Sequence, residues 1–284
     1  MSIEMSTDLR PHLHGMWSSV AGSWAQHANF VDSRGQQVTD WMIAVTTPTR
    51  GDRALELACG PGALTLAVGP LVDPGEVVAS DVAMEMVDIA VARAHSHGLS
   101  NVHGRRLDLE QIEERDATFD LVYCRDGLQF ALDPERAAAE IARVTKPAGR
   151  IAVAVWTERG RNPWLGLVLD ALSEQLGTPM PPPGIPGPFS LGDATRLAAM
   201  FTAAGFTELR SDELEVPLRA PSFDGWWRMT TSLAGPLARI TDGLDADTAE
   251  KVRARAHEAV GRYEDGDGSM DIPGAQHVLT ARKA

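Results

Sequence analysis

Two cysteines in 284 residues leave no material for a disulfide framework. Neither Cys59 nor Cys124 belongs to a C-x-x-C pair and no histidines gather around them, so a zinc site is not expected. Both end apolar runs and read as small buried residues in a reducing cytoplasm. Basic charge is also scarce: 26 Lys and Arg stand against 39 Asp and Glu, a formal net charge of −13. Nucleic acids are gripped by clustered Lys and Arg, so no nucleic-acid partner is expected. The basic stretch Lys251 to Arg255 sits among acids and reads as a solvated helix face. No apolar run reaches the roughly 20 residues that span a bilayer. Met1 to Leu13 has neither the basic n-region nor the apolar h-region of a secretory signal. A cytoplasmic protein without membrane attachment is the expectation.

What is present is a glycine turn between two apolar strands. Ala54-Leu55-Glu56-Leu57-Ala58-Cys59-Gly60-Pro61-Gly62-Ala63-Leu64-Thr65 is followed, nineteen residues after Gly62, by Asp81 at the end of Val77-Val78-Ala79-Ser80. Gly60 and Gly62 permit positive φ and a close backbone approach to a ligand. An acid at that spacing reaches the tip of the neighbouring parallel strand, where it can hold ribose hydroxyls. Strands are expected at 53–58, 76–81, 102–107, 119–124 and 150–156, alternating with helices, which predicts a parallel sheet covered on both faces. The helix opening near Gly62 is expected to be interrupted at Gly69-Pro70. Asp133 and Pro134 mark the start of another helix. Further on, 207–216 and 275–282 read as two strands separated by a helical insertion, able to pair antiparallel at one sheet edge.

The 284 residues suit a single domain with four parts. These are an N-terminal helical cover (10–47), a cofactor-binding core (50–156), a Pro-rich lid loop (157–190) and a helical insertion (217–272) before the last strand. Six prolines among the eleven residues Thr178 to Pro188 set the stiff loop. The run Asp265 to Asp271 has Met270 where a calcium loop needs Gly, so it reads as an acidic turn.

Leu55 to Gly62 resembles the first motif of the class I S-adenosylmethionine-dependent methyltransferases. Val78 to Asp81 is similar to that family's ribose-binding strand, Asp108-Leu109 to its adenine-contacting pair, Phe119 to Cys124 to its fourth-strand motif and Val144 to Arg150 to the following turn. The likeness leans toward the ubiquinone/menaquinone-biosynthesis type of small-molecule methyltransferase. It implies a doubly wound, Rossmann-like α/β fold, a seven-stranded sheet with the last strand antiparallel, helical lid segments, and S-adenosyl-L-methionine as cofactor.

By the same likeness, Gly60, Gly62, Ala58 and Thr65 belong to the cofactor turn. Asp81 binds the ribose, Val82 and Met86 flank the adenine, Asp108 and Leu109 contact it, and the backbone around Arg125 meets the amino group. The plain alternative for Asp81 and Asp108, that they are only turn or cap residues, is disfavoured by their joint spacing, and Glu56 either touches ligand or orients the turn amides. The catalytic candidates are His27, which also reads as an ordinary surface or core histidine, and Asp126, which could cap the short helix through Phe130. Trp17, Trp24, Gln129 and Trp156 are the acceptor-side candidates, with His14, Trp164, Trp226 and Trp227 further out. The predicted reaction is methyl transfer to a small, partly apolar or aromatic metabolite. A catalytically silent cofactor-binding scaffold is the first alternative. A nicotinamide or flavin oxidoreductase is the second, disfavoured because Thr65 stands where a dinucleotide turn has its third small residue.

Overall fold

The computed structural model describes residues 9–284; most of the stretch that bears on a secretory signal lies outside the described residues. Helices α1 (Arg10–Gln26) and α2 (Ala28–Thr46) come first. The core then runs β1 (Arg53–Leu57), α3 (Ala63–Val72), β2 (Glu76–Asp81), α4 (Met84–Ser96), β3 (Val102–Arg106), β4 (Phe119–Arg125), α5 (Pro134–Val144) and β5 (Thr145–Trp156). It continues through α6 (Pro163–Leu176), α7 (Ala194–Ala203), β6 (Phe206–Glu215), β7 (Leu218–Ala220), α8 (Phe223–Leu233), α9 (Gly235–Asp242), α10 (Ala246–Val260), β8 (Met270–Ile272) and β9 (Ala275–Lys283).

Seven strands form one sheet in the order β3-β2-β1-β4-β5-β9-β6. The strands β1 to β5 are mutually parallel, while β9 runs antiparallel to both β5 and β6. The seven-stranded α/β architecture with its last strand antiparallel is therefore as expected. Alternation within each strand explains the two layers. Ala54, Ala79, Tyr123, Ala152 and Val278 face α2, α3, α6 and α10. Leu55, Leu57, Val122, Val153 and Leu279 face α5 and α7. The five inner strands are thus largely apolar on both sides, as a sheet sandwiched between helices requires, whereas the edge strands β3 and β6 are mostly exposed.

Two details depart from the sequence reading. Helix α3 continues through Pro70 instead of breaking there. Pro70 lies in the last turn, so the missing amide costs one terminal bond, and bare Gly69 lets Leu99 and Val102 pack against the helix. The supposed lid loop 157–190 contains the buried helix α6, ended by Gly177 in the left-handed region; only 177–193 lacks regular structure. The helical insertion comprises three helices, α8 to α10, and its ends are tied by the small β7–β8 pairing. Helix α5 does open as read, with Asp133 Oδ1 accepting from the Arg136 amide at 2.9 Å.

Candidate active site

The chain leaves β1 through a turn held open by three left-handed residues: Ala58 at φ 53°, Gly60 at 51° and Gly62 at 86°. Gly62 has a packing reason as well, since a Cβ there would lie 2.8 Å from that of Ala90 on α4. The turn is fixed from β2, the adjoining strand. Cys59 donates its amide to the Ser80 carbonyl at 2.8 Å, and Gly60 donates to Asp81 Oδ2 at 3.1 Å. The other carboxylate oxygen of Asp81 accepts from the Ala83 amide at 3.0 Å. Burial pushes the Asp81 carboxyl up to about 6 against those two bonds. Glu56 is buried in mid-sheet, where its carboxylate accepts from the Thr65 hydroxyl; burial raises it to about 7.

Asp108 follows β3 and accepts from the Glu110 amide at 2.8 Å. Helix α1 crosses this loop: His14 Nε2 lies 3.5 Å from Asp108 Oδ2, and Arg10 pairs with the buried Glu110 at 2.9 Å. At the end of β4, Arg125 is drawn toward α2, donating to Thr39 Oγ1 at 2.8 Å and to the Gly35 carbonyl. Asp126 is left-handed at φ 62°, a strained conformation for a residue other than glycine. Its amide is tied to the Ala154 carbonyl at 3.0 Å, and its Oδ1 accepts from Gln276 Nε2 at 2.7 Å. Burial raises the Asp126 carboxyl, opposed by the nearby Arg125 and Arg34 charges.

Glu56, Gly60, Asp81, Asp108, Arg125 and Asp126 border one cavity of about 570 Å3 at the carboxyl ends of the parallel strands, within the usual size of a ligand site. Of the residues expected at the cofactor, Glu56, Ala58, Gly60, Asp81, Val82, Met86, Asp108, Leu109 and Arg125 border it. Gly62 and Thr65 do not: one makes room for α4, and the other holds Glu56 from behind. Of the acceptor-side candidates, Trp17, Trp24, Gln129, Trp156, Trp164 and His14 border the cavity, as does Asp126. His27 does not. It is the single residue between α1 and α2, and its side chain makes no capping bond to the second helix. Trp226 is also set back: it is fully buried and donates to the Trp164 carbonyl at 2.9 Å, bracing the wall from outside. Trp227 is likewise off the cavity.

Trp24 stands over the glycine turn, since a Cβ on Gly60 would sit 3.7 Å from its ring. The opposite wall is Trp156 and Trp164, ring centres 4.9 Å apart, with the Arg34 guanidinium 4.0 Å from the Trp164 ring centre. Asn162 builds this wall from behind. Its Oδ1 accepts from Trp164 Nε1 at 3.2 Å and from the Ala275 amide at 3.0 Å, fixing the start of β9 and hence Gln276.

Sequence reasoning missed Arg34, Glu110, Asn162, Thr230 and Gln276. Only Glu110, two residues beyond Asp108, had a local signal. Among the described residues no group of three or more His, Cys, Asp or Glu is arranged to hold a metal, and no helix is long and apolar enough to cross a membrane.

Comparison with known proteins bears on the same segment. Residues 54–149 match the family model of a methyltransferase domain. The chain is 30% identical over 160 residues to demethylmenaquinone methyltransferase of Lactobacillus johnsonii, covering 55% of this chain and 64% of that one. It is 29% identical over 198 residues to nocamycin O-methyltransferase of Saccharothrix syringae, covering 65% and 71%. The crystal structure of the YcgJ protein of Bacillus subtilis shares the fold, with a TM-score of 0.62 at 20% identity over 87% of this chain and 98% of that one. The chain spans from about half to just under two thirds of the length of the first curated relatives it matches. With the glycine turn, the paired strand-end acids and the strand order in place, residues 54–149 form a methyltransferase domain.

Proposed function

We propose that the protein methylates a small, partly apolar or aromatic acceptor held in the same chamber as the cofactor. The observation that carries this reading is the shared cavity: Asp81 and Asp108 border one end, and Asp126, Gln129, Trp156 and Trp164 border the other. The donor set suits the cofactor. Asp81 keeps lone pairs for ribose hydroxyls beyond its two backbone bonds, and Asp108 offers a carboxylate to an exocyclic amine. Val82, Met86 and Leu109 supply apolar contact for the base, and the turn from Ala58 to Gly60 lets backbone approach closely. Glu56 lies under that turn, and the backbone of Arg125, which also lines the cavity, would meet the cofactor's amino group.

When bound, S-adenosylmethionine supplies a methyl carbon already activated by its sulfonium, so in-line placement of the acceptor provides much of the acceleration. Asp126 would take the proton that a hydroxyl or N–H acceptor loses on methylation, while the cofactor would supply the electrophilic methyl group. A carboxyl raised by burial is a better base than a solvated one. Trp156 and Trp164 exclude water and orient a flat acceptor through ring contact. Absorbed in this role, Asp126 replaces His27 as the candidate base.

Equilibrium binding of labelled S-adenosylmethionine tests the site, and formation of S-adenosylhomocysteine with a panel of small apolar acceptors tests the reaction. Saturable binding that collapses in Asp81→Ala, with product formed from at least one acceptor, is the expected result. Undiminished binding in Asp81→Ala removes the assignment.

A further inference from the structure

Three side chains on the acceptor side of the chamber are almost completely buried and yet carry an unpaired polar atom: Gln129 Nε2, Gln276 Oε1 and Thr230 Oγ1, at 1%, 2% and 2% residue exposure. All three residues border the cavity, as does Arg34, whose Nε is buried without a partner. Buried polar atoms left alone cost free energy, so such a cluster in one cavity points to a ligand that satisfies it.

The network fixes which atom each amide presents. Gln129 accepts the Trp156 amide through Oε1 at 3.3 Å, which leaves its NH2 group for the cavity. Gln276 donates Nε2 to the Asp126 carboxylate, which leaves its carbonyl oxygen. The two are neighbours by register, because Trp156 and Gln276 are direct partners in the β5–β9 ladder. The chamber therefore offers a donor and an acceptor held by paired residues of β5 and β9, and it is also lined by a hydroxyl on α8 and a guanidinium N–H from α2.

That combination selects by chemistry. A carboxylate edge accepts only, so it would meet the Gln276 oxygen and the Asp126 carboxylate with nothing to donate. An ammonium edge donates only, and would confront Arg34 and the Gln129 amide hydrogens. A neutral edge carrying a hydroxyl or N–H beside a carbonyl satisfies both amides at once. We infer that the acceptor is an apolar or aromatic body bearing such a neutral hydroxy-carbonyl or lactam edge, read by Gln129 and Gln276, with Thr230 in support. This rests on the proposed methyl-transfer reading of the chamber and names its substrate class.

The test is binding, not turnover, so it is separate from the test of the reaction. Four bicyclic probes differ in their edge: 2-quinolone (N–H beside C=O), naphthalene (none), 2-naphthoate (anionic) and 2-naphthylmethylammonium (cationic). Titration into the protein saturated with S-adenosylhomocysteine, followed by tryptophan fluorescence, is expected to rank 2-quinolone first by roughly tenfold or more. Gln129→Glu keeps the oxygen that holds Trp156 but replaces the donor, and is expected to weaken 2-quinolone roughly tenfold while leaving naphthalene unchanged. Thr230→Val, a same-shape change, is expected to weaken 2-quinolone by a smaller factor. Thermal midpoints of both variants report that they are folded. Equal binding of all four probes, preference for either charged probe, no saturable binding of 2-quinolone, or an unaltered ranking in folded Gln129→Glu overturns the inference. Loss of S-adenosylmethionine binding in Asp81→Ala is judged independently of every one of these outcomes.

Discussion

The two ends of the chamber differ in how their polar groups are satisfied. At the cofactor end Glu56, Asp81 and Asp108 each accept hydrogen bonds from within the protein. At the acceptor end Gln129, Gln276, Thr230 and Arg34 keep buried atoms without partners. The first region is preorganised: its carboxylates hold the turn's amides in place and still have lone pairs for a ligand. The second is incomplete without one. The contrast also has a source in the chain. The cofactor end is built within β1 to β3 and the turns after them, whereas the acceptor end assembles side chains from α2, β5, α8 and β9.

The sharpest break between the ends is expected from Asp126→Asn. If Asp126 takes the acceptor's proton, turnover falls by about 10²–10⁴-fold, the usual contribution of a positioned base. Gln276 can turn its carbonyl toward the new amide, so the fold and the labelled-cofactor affinity are expected to persist. Single-turnover assays beside equilibrium binding check both halves of that statement. Unaltered turnover would point to an acceptor that reacts without losing a proton first.

Asp81→Ala is expected to act in the opposite sense. It removes a carboxylate whose hydrogen bonds are charge-assisted, each worth roughly 1.5–3 kcal/mol, so cofactor affinity is expected to drop about 10- to 150-fold. Probes that bind at the acceptor end are expected to lose far less in the absence of cofactor.

The buried acids of the cofactor end also set a pH signature. Glu56 is raised from 4.5 to about 7 and Asp81 from 3.8 to about 6, in both cases chiefly by burial. A carboxyl raised on folding binds its proton more tightly in the folded chain. Its contribution is fully present below the unfolded value and is lost as pH climbs through the folded value. Stability of the ligand-free protein is therefore expected to decline from about pH 4.5 to about pH 7 on account of Glu56. Glu56→Gln, which can still accept from Thr65, is expected to remove that part of the slope, on the order of 1–3 kcal/mol at 1.36 kcal/mol per pKa unit. Denaturant midpoints measured across this range check it; a slope unchanged in Glu56→Gln would show that Glu56 is charged throughout.

How much of this was legible follows the same division. Gly60, Asp81 and Asp108 could be read because each sits at a fixed distance along a local strand–turn–helix pattern. Asp126 could be nominated because it directly follows β4. Gln276 could not, since its position beside Asp126 depends on β9 inserting between β5 and β6, 150 residues away along the chain. Arg34 and Thr230 were hidden for a similar reason: each looks like an ordinary helical residue until the cover closes over the sheet. His27 carried no signal beyond its place in the N-terminal cover, and it falls at the break between α1 and α2, off the cavity. Helix α6 was obscured by the prolines that follow it, although its Pro163 start and Gly177 end are ordinary helix punctuation.

The smallest expected effects come from the tryptophans, and they sharpen the boundary between the ends. From sequence, Trp24 belonged with the acceptor roof. In the fold it lies over Gly60, and its indole N–H is anchored to the Leu233 carbonyl at 2.7 Å. Trp24→Leu keeps apolar bulk but gives up the flat ring and the anchor, so it is expected to weaken cofactor binding several-fold, about the worth of one ring contact and one hydrogen bond. Trp164 lies across the chamber beneath Arg34 and against Trp156. Trp164→Leu is expected to spare cofactor affinity and to weaken aromatic acceptors by a comparable factor, as both the ring contact and the cation–π support are lost. Cofactor titrations and acceptor-dependent product formation on the two variants give four numbers. A crossed pattern, with each variant impairing mainly its own end, fixes Trp24 as part of the cofactor wall. If Trp24→Leu instead raises the acceptor concentration needed for half-maximal rate while cofactor binding holds, the boundary between the two ends runs through Gly60 and Trp24 roofs the acceptor after all.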